Sequence, residues 1–196
     1  MPTTHLLYLH GFRSSPLSAK AQLMHEQLGQ RPGLTWWCPQ LPPSPAAAAA
    51  LIEEGIAQWP RASMAVCGSS LGGFYATWVA ERLSGPACRA VVLNPAVDPA
   101  RDLAAHIGEQ TAWHTPEERF FFQPAYIDEL RALHAGPLTQ PARYLALIAK
   151  GDELLDWREM AARYAGTQLH VLEGGDHALS DFGQHMGTVL AHLQLE

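Results

Sequence analysis

The sequence has few cysteines and lacks a disulfide pattern. Its three cysteines, Cys38, Cys67 and Cys88, are an odd number, and their spacing matches neither a disulfide framework nor a zinc motif. They are expected to be reduced residues of the core.

Positive charge is also scarce, with 13 lysine and arginine residues against 19 acidic residues and a formal net charge of -6. Proteins that neutralise phosphates need a basic surface, so nucleic acid is not expected as a partner. No apolar run approaches the roughly 20 residues that span a bilayer, and the first residues lack a signal-peptide core. A cytoplasmic protein without a membrane span is the expectation.

Apolar residues are plentiful. Of the 196 residues, 47% are hydrophobic and 16% charged, which predicts one domain, 1–196, around one core. Short apolar runs alternate with longer amphipathic ones, and this predicts an α/β fold with a mostly parallel sheet of about six strands, covered by helices on both faces. The predicted strands are His5–Leu9, Thr35–Cys38, Ser63–Cys67, Arg89–Leu93, Tyr144–Ala149 and Gln168–Leu172. The predicted helices are Lys20–Leu28, Pro45–Gln58, Leu71–Leu83, Trp157–Tyr164 and Phe182–Leu193.

Residues 96–140 interrupt this alternation. They contain no clean strand pattern, although aromatic residues such as Trp113, Phe120 and Tyr126 are concentrated there. A connection of this length inside a domain usually has a function, so the segment is interpreted as a cap over the active site. In the alternative interpretation, the aromatic residues only pack the segment onto the body of the domain.

The central motif is Gly68-Ser69-Ser70-Leu71-Gly72-Gly73, which contains G-x-S-x-G centred on Ser70. It lies where a predicted strand meets a predicted helix, as in the nucleophile elbow of hydrolases. The sharp turn needs small neighbours, and it places the serine oxygen at a helix N-terminus, where developing negative charge is stabilised. Ser70 is therefore the predicted nucleophile. A glycine-rich turn without chemistry is the alternative.

A serine hydroxyl needs a base, and His177 is the candidate. It follows the last predicted strand within Glu173-Gly174-Gly175-Asp176-His177 and precedes the final helix. Most other histidines are expected at the surface, and no H-E-x-x-H or paired-histidine spacing is present, so no metal site is predicted. The surface assignment covers His25, His106, His134, His185 and His192.

The acid that orients this base should lie between serine and histidine in the chain. Asp152 follows the strand Tyr144–Ala149 closely and is the preferred candidate. Asp156 is the alternative acid, and it could instead cap the helix that begins near Trp157.

Two backbone N–H groups should stabilise the oxyanion of a tetrahedral intermediate. Leu71, directly after the serine, supplies one, and Phe12 in His10-Gly11-Phe12 after the first strand is the choice for the second. His10 itself is expected to brace this loop.

With these residues in view, the sequence resembles the YqiA family of small bacterial esterases within the α/β-hydrolase superfamily. The resemblance extends over nearly the whole chain and rests on these strings: 6–12 with 14–16, 39–43, 68–73 with 75–78, 94–97, 151–153 with 155–156, and 173–175 with His177.

The resemblance implies esterase activity, or acyl-CoA thioesterase activity, without a cofactor. It assigns the catalytic serine, acid and histidine to Ser70, Asp152 and His177. Arg13 and Asp176 depart from the family pattern beside these positions, which bears on substrate preference more than on reaction class.

The expected partner is therefore a small acyl ester or thioester. Two alternatives remain: a catalytically idle fold used as a binding module, and an acyltransferase with the same triad.

Overall fold

A six-stranded sheet, parallel throughout, forms the centre of the fold. The computed structural model describes residues 2–114 and 117–196. In spatial order the strands run β2-β1-β3-β4-β7-β8. Their bounds are β1 His5–Leu9, β2 Thr35–Trp37, β3 Met64–Ser69, β4 Arg89–Leu93, β7 Tyr144–Ala149 and β8 Gln168–Leu172.

The predicted strands are confirmed, with two changes of boundary. β2 ends one residue early, at Trp37, and β3 is shifted to end at Ser69. Gly68 and Ser69 remain in register with β4. Ladder hydrogen bonds therefore extend β3 beyond its apolar run and carry the chain to the edge of the sheet at Ser70.

Helices cover both faces of the sheet, as predicted. Leu6 and Tyr8 of β1 pack on one face with α1 and α7, whereas Leu7 and Leu9 contribute to the core on the other face with α2, α3, α5 and α6. This alternation is the two-residue period of a strand buried on both sides. The helices are α1 Ala19–Leu28, α2 Pro45–Gly55, α3 Leu71–Trp78, α4 Pro99–Asp102, α5 Ala125–Ala132, α6 Trp157–Arg163 and α7 Phe182–His192. Within the described ranges, none has the length and apolar character that crossing a bilayer requires.

The predicted helix Leu71–Leu83 changes its winding at Val79. α3 is followed by a π-helical turn over Val79–Leu83, in which Glu81 forms a buried ion pair with Arg143 at 2.9 Å. The carboxylate of Glu81 also accepts hydrogen bonds from Thr139. These contacts tie the end of the 96–140 segment to the body of the protein.

Residues 96–140 contain a β-hairpin, so the expectation of no strand in this segment was wrong. β5 Gly108–Thr111 pairs in antiparallel fashion with β6 Arg119–Phe122. The hairpin escaped prediction because each strand has only four residues and β5, GEQT, is polar. Phe120 and Phe122 face the ring of Phe12, whereas Phe121 is 58% exposed.

Candidate active site

Ser70 occupies a sharp turn between β3 and α3. Its backbone has φ 56° and ψ -123°, a conformation that residues other than glycine rarely adopt. Backbone hydrogen bonds hold it there: Ser70 N–H donates to Leu93 O at 3.0 Å, and Ala96 N–H donates to Ser70 O at 3.0 Å. The end of β4 therefore fixes the strained residue.

The two glycines of G-x-S-x-G are required by backbone contacts. A Cβ atom on Gly68 would lie 2.0 Å from the carbonyl oxygen of Gly72. A Cβ atom on Gly72 would lie 1.9 Å from the carbonyl oxygen of Leu9. Real Cβ atoms do not approach this closely, so the turn excludes larger residues at both positions.

The structure brings Ser70, His177 and Asp152 together at the carboxyl edge of the sheet. Nε2 of His177 lies 3.0 Å from Oγ of Ser70, and Nδ1 lies 2.8 Å from Oδ2 of Asp152. Because a carboxylate only accepts, Nδ1–H donates to Asp152, and Nε2 accepts from the serine hydroxyl. The Asp152 side chain is fully buried, and that of His177 is 18% exposed. Such an arrangement can move a proton from serine to imidazole.

The carboxylate of Asp152 is oriented by its own loop. Oδ1 accepts hydrogen bonds from the N–H groups of Leu154 at 2.9 Å and Leu155 at 2.8 Å. This leaves Oδ2 for the imidazole. The adjacent Glu153 accepts from the backbone N–H of His177 at 3.0 Å, so two successive side chains hold the histidine.

Asp156, the alternative acid, caps α6. Its carboxylate accepts from the backbone N–H of Arg158 at 2.9 Å and lies 3.6 Å from the Arg158 guanidinium. Within the described contacts, the carboxylate that reaches the imidazole ring of His177 is that of Asp152.

Asn94 is a further residue of the site, and the sequence motifs do not assign it a role. It is fully buried at the end of β4. Its amide nitrogen donates to the carbonyl oxygens of Asp176 at 2.9 Å and His177 at 3.2 Å. Its amide oxygen accepts from Ala149 N–H at 2.8 Å. The sequence signal was a polar residue directly after a buried strand, in Asn94-Pro95.

The loop after β1 passes beside Ser70. A Cβ atom on Gly11 would lie 3.2 Å from Cβ and 3.5 Å from Oγ of Ser70. Phe12 and Leu71 line the same cavity as Ser70. Leu71 is the first residue of α3, so its N–H group has no partner within the helix.

His10 braces this loop. Its side chain is buried, and Nε2 accepts from Leu41 N–H at 3.1 Å, which leaves Nδ1–H to donate to Gly11 O at 3.0 Å. Burial lowers the pKa of His10.

Burial also lowers the pKa of His192, which is only 6% exposed, so its expected surface position was wrong.

We expect stability to fall as the pH drops below about 6.5, because the unfolded chain then protonates His10 and His192 before the folded chain does. For each histidine, the free energy of unfolding falls by at most about 1.4 kcal/mol per pH unit. This loss continues as the pH falls from the unfolded-state pKa to the lowered folded-state pKa. In thermal melts between pH 8 and pH 5, the Tm of His10→Gln should fall less steeply with decreasing pH than the Tm of the unaltered protein. His25→Gln, at an exposed position, is the control. Equal slopes for all three proteins would contradict the prediction.

Ser70 and His177 line a cavity of about 720 Å³. Apolar side chains line much of it, including those of Phe12, Leu103 and Trp113. This volume lies within the range of sites that enclose drug-sized ligands. The site can therefore accept an organic group much larger than acetate.

Comparisons with known proteins agree with this architecture. Residues 5–194 match the family described as an uncharacterised protein family, UPF0227. Among solved structures, the chain is similar to a metagenome-derived lipolytic enzyme described in a study of LipS and LipT, with TM-score 0.72 and 17% identity over 100% of this chain and 96% of the other.

Two further structures have the same fold. The monoacylglycerol lipase of Paleococcus ferrophilus aligns with TM-score 0.70 and 14% identity, covering 100% of this chain and 96% of the lipase. Mouse alpha/beta hydrolase domain-containing protein 10 aligns with TM-score 0.66 and 16% identity, covering 97% and 91%. The fold is that of the α/β hydrolases.

Proposed function

Because this chain belongs to the UPF0227 (YqiA) family and its Ser70 is hydrogen-bonded to His177, we propose that it is a serine hydrolase of carboxylic esters or thioesters. The observation that supports this most directly is the continuous series of contacts from Ser70 through His177 to Asp152. An idle binding fold has no need of a serine hydroxyl facing the unprotonated nitrogen of an oriented imidazole.

The proposed reaction transfers an acyl group in two steps. Nε2 of His177 removes the Ser70 proton while Oγ attacks the carbonyl carbon, and the resulting oxyanion is stabilised by the N–H groups of Phe12 and Leu71. His177 then gives the proton to the leaving alcohol or thiol as its bond to carbon breaks. Water, deprotonated by the same nitrogen, attacks the acyl-enzyme, releases the acid and restores Ser70. Asp152 keeps the Nδ1–H tautomer and stabilises the imidazolium.

We infer that residues 96–140 act as the cap of this site. Pro99, Leu103, His106 and Trp113 belong to the segment and line the cavity that Ser70 enters. The apolar lining favours esters with apolar groups over acetate, since burial of each methylene contributes about 0.8 kcal/mol to binding.

A fluorophosphonate probe tests the proposal, because its labelling requires an activated serine. We expect stoichiometric labelling, located at Ser70 by peptide mass spectrometry, and hydrolysis of acyl esters or acyl thioesters from a panel of graded chain length. The Ser69→Ala variant is the matched control and should still be labelled. Absence of both labelling and hydrolysis in the folded protein would favour a binding module instead.

A further inference from the structure

Arg13 joins the loop after β1 to the β5–β6 hairpin through four contacts. Nε donates to the carbonyl oxygen of Thr111 at 2.7 Å, and Nη2 donates to Oγ1 of Thr111 at 3.0 Å. The guanidinium lies 4.2 Å from the centroid of the Trp113 ring. The carbonyl oxygen of Arg13 accepts from the backbone N–H of Trp113 at 2.8 Å. A planar guanidinium suits this combination of paired donation and stacking, which a lysine ammonium cannot reproduce.

Phe12 adds a second connection between the same two segments. Its ring meets Phe120 and Phe122 edge-on, with centroids 6.0 and 5.2 Å apart. Two successive residues of the loop therefore contact the hairpin, Arg13 at β5 and Phe12 at β6. One of them, Phe12, is the residue whose N–H is assigned to the oxyanion.

The backbone of Arg13 gives an independent sign that this loop is held in place. Its φ of 59° lies in the left-handed region, where residues other than glycine are uncommon. Such a conformation persists only where the surrounding structure determines it. The contacts to Thr111 and Trp113 provide that determination.

We propose that Arg13 is a positioning residue, which holds the Phe12 N–H at the oxyanion by tying its loop to the β5–β6 hairpin. The inference rests on the proposed function, since the position of this N–H matters only for acyl transfer. Oxyanion donors act through placement, and an error of about 1 Å can cost about a hundredfold in rate. The hairpin thus supports the catalytic machinery, and the loop between its strands lines the cavity through Trp113.

Arg119 offers a matched comparison on the same hairpin. It forms a salt bridge of 3.2 Å with Glu109, and both side chains are about two-thirds exposed. Exposed pairs of this kind contribute little to stability. Removal of Arg119 changes the net charge of the protein by the same amount as removal of Arg13, without breaking the contacts of Arg13.

The experiment compares Arg13→Ala, Arg13→Lys and Arg119→Ala with the unaltered protein in steady-state hydrolysis of p-nitrophenyl acetate. We expect Arg13→Ala to lower kcat by about 10- to 100-fold, less than the 100- to 1,000-fold cost of deleting an oxyanion donor. KM for this small ester should change by less than about threefold, because the loss falls on the transition state. Arg13→Lys should be intermediate, and Arg119→Ala should stay within about twofold of the unaltered protein. The pH–rate profile should keep its position, since Arg13 makes no described contact with His177.

An unchanged kcat for a folded Arg13→Ala, or a loss confined to KM, would overturn the inference. Should Arg13→Ala not fold in thermal melts, Arg13→Lys and Trp113→Ala become the deciding variants, with the same criterion of lowered kcat. The proposed function fails separately: the unaltered protein would then neither hydrolyse the ester nor react with the fluorophosphonate. An active parent with an unchanged Arg13 series contradicts only the role of Arg13.

Discussion

Ser70→Ala is expected to lower kcat for ester hydrolysis by at least about a thousandfold and to leave the fold intact. The variant removes only Oγ, whose described hydrogen bond is to His177, so binding and the oxyanion donors are all that remain for catalysis. Alanine also keeps the backbone hydrogen bonds that fix the turn. Steady-state kinetics and the loss of fluorophosphonate labelling check the result, with thermal melts to exclude unfolding.

Ser69→Ala is the matched control. Ser69 is the last residue of β3 and is mostly buried, with its backbone paired to Leu93. Its variant should retain turnover within a few fold. Near-normal turnover in Ser70→Ala together with loss in Ser69→Ala would refute the assignment of the nucleophile.

Asp152→Asn is expected to cost up to roughly ten-thousandfold in turnover, by analogy with the serine-protease triad. The loop explains why the loss should be so large. The N–H groups of Leu154 and Leu155 require an oxygen at the position of Oδ1, so the new amide must turn its NH₂ group towards Nδ1 of His177. The imidazole then carries its proton on Nε2 and cannot accept the serine proton. Kinetics combined with melts should show an inactive but folded protein.

Asp156→Asn provides the comparison, because asparagine is also a good N-cap residue. We expect turnover within a few fold of the parent, since Asp156 bonds with Arg158 at the start of α6. An inactive Asp156→Asn beside an active Asp152→Asn would reverse the assignment of the acid. Equal severe losses would mean that the loop holds both carboxylates in one network.

Much of this fold could be predicted because buried parallel strands are continuous apolar runs. His5–Leu9 and Tyr144–Ala149 have the predicted bounds, and the candidate residues follow strand ends, where parallel strands bring their loops to one edge. The assignment of Ser70, Asp152 and His177 therefore came from chain order and strand position. The structure adds the distances between them.

The parts that escaped prediction depend on contacts distant in sequence. The β5–β6 hairpin has no strong local pattern, and its strands are fixed partly by packing of Phe120 and Phe122 on Phe12. The change of winding at Val79 is likewise invisible in a sequence that reads as one helix. The hydrogen-bond partners of Arg13 and Asn94 are distant in the sequence, so no local motif identifies them.

Buried Asn94 holds the loop that carries His177 in place once the strands of the sheet have assembled. Its amide joins the end of β4 to the end of β7 at Ala149 and to the carbonyl groups of Asp176 and His177. Local opening of the loop would leave these buried polar groups without partners, so opening is costly and rare. Many ligand-binding loops belong to the least stable parts of a protein, but this one is tied to its most buried layer. We therefore expect the imidazole to be in place before a substrate of the proposed reaction arrives, so that binding does not have to order it.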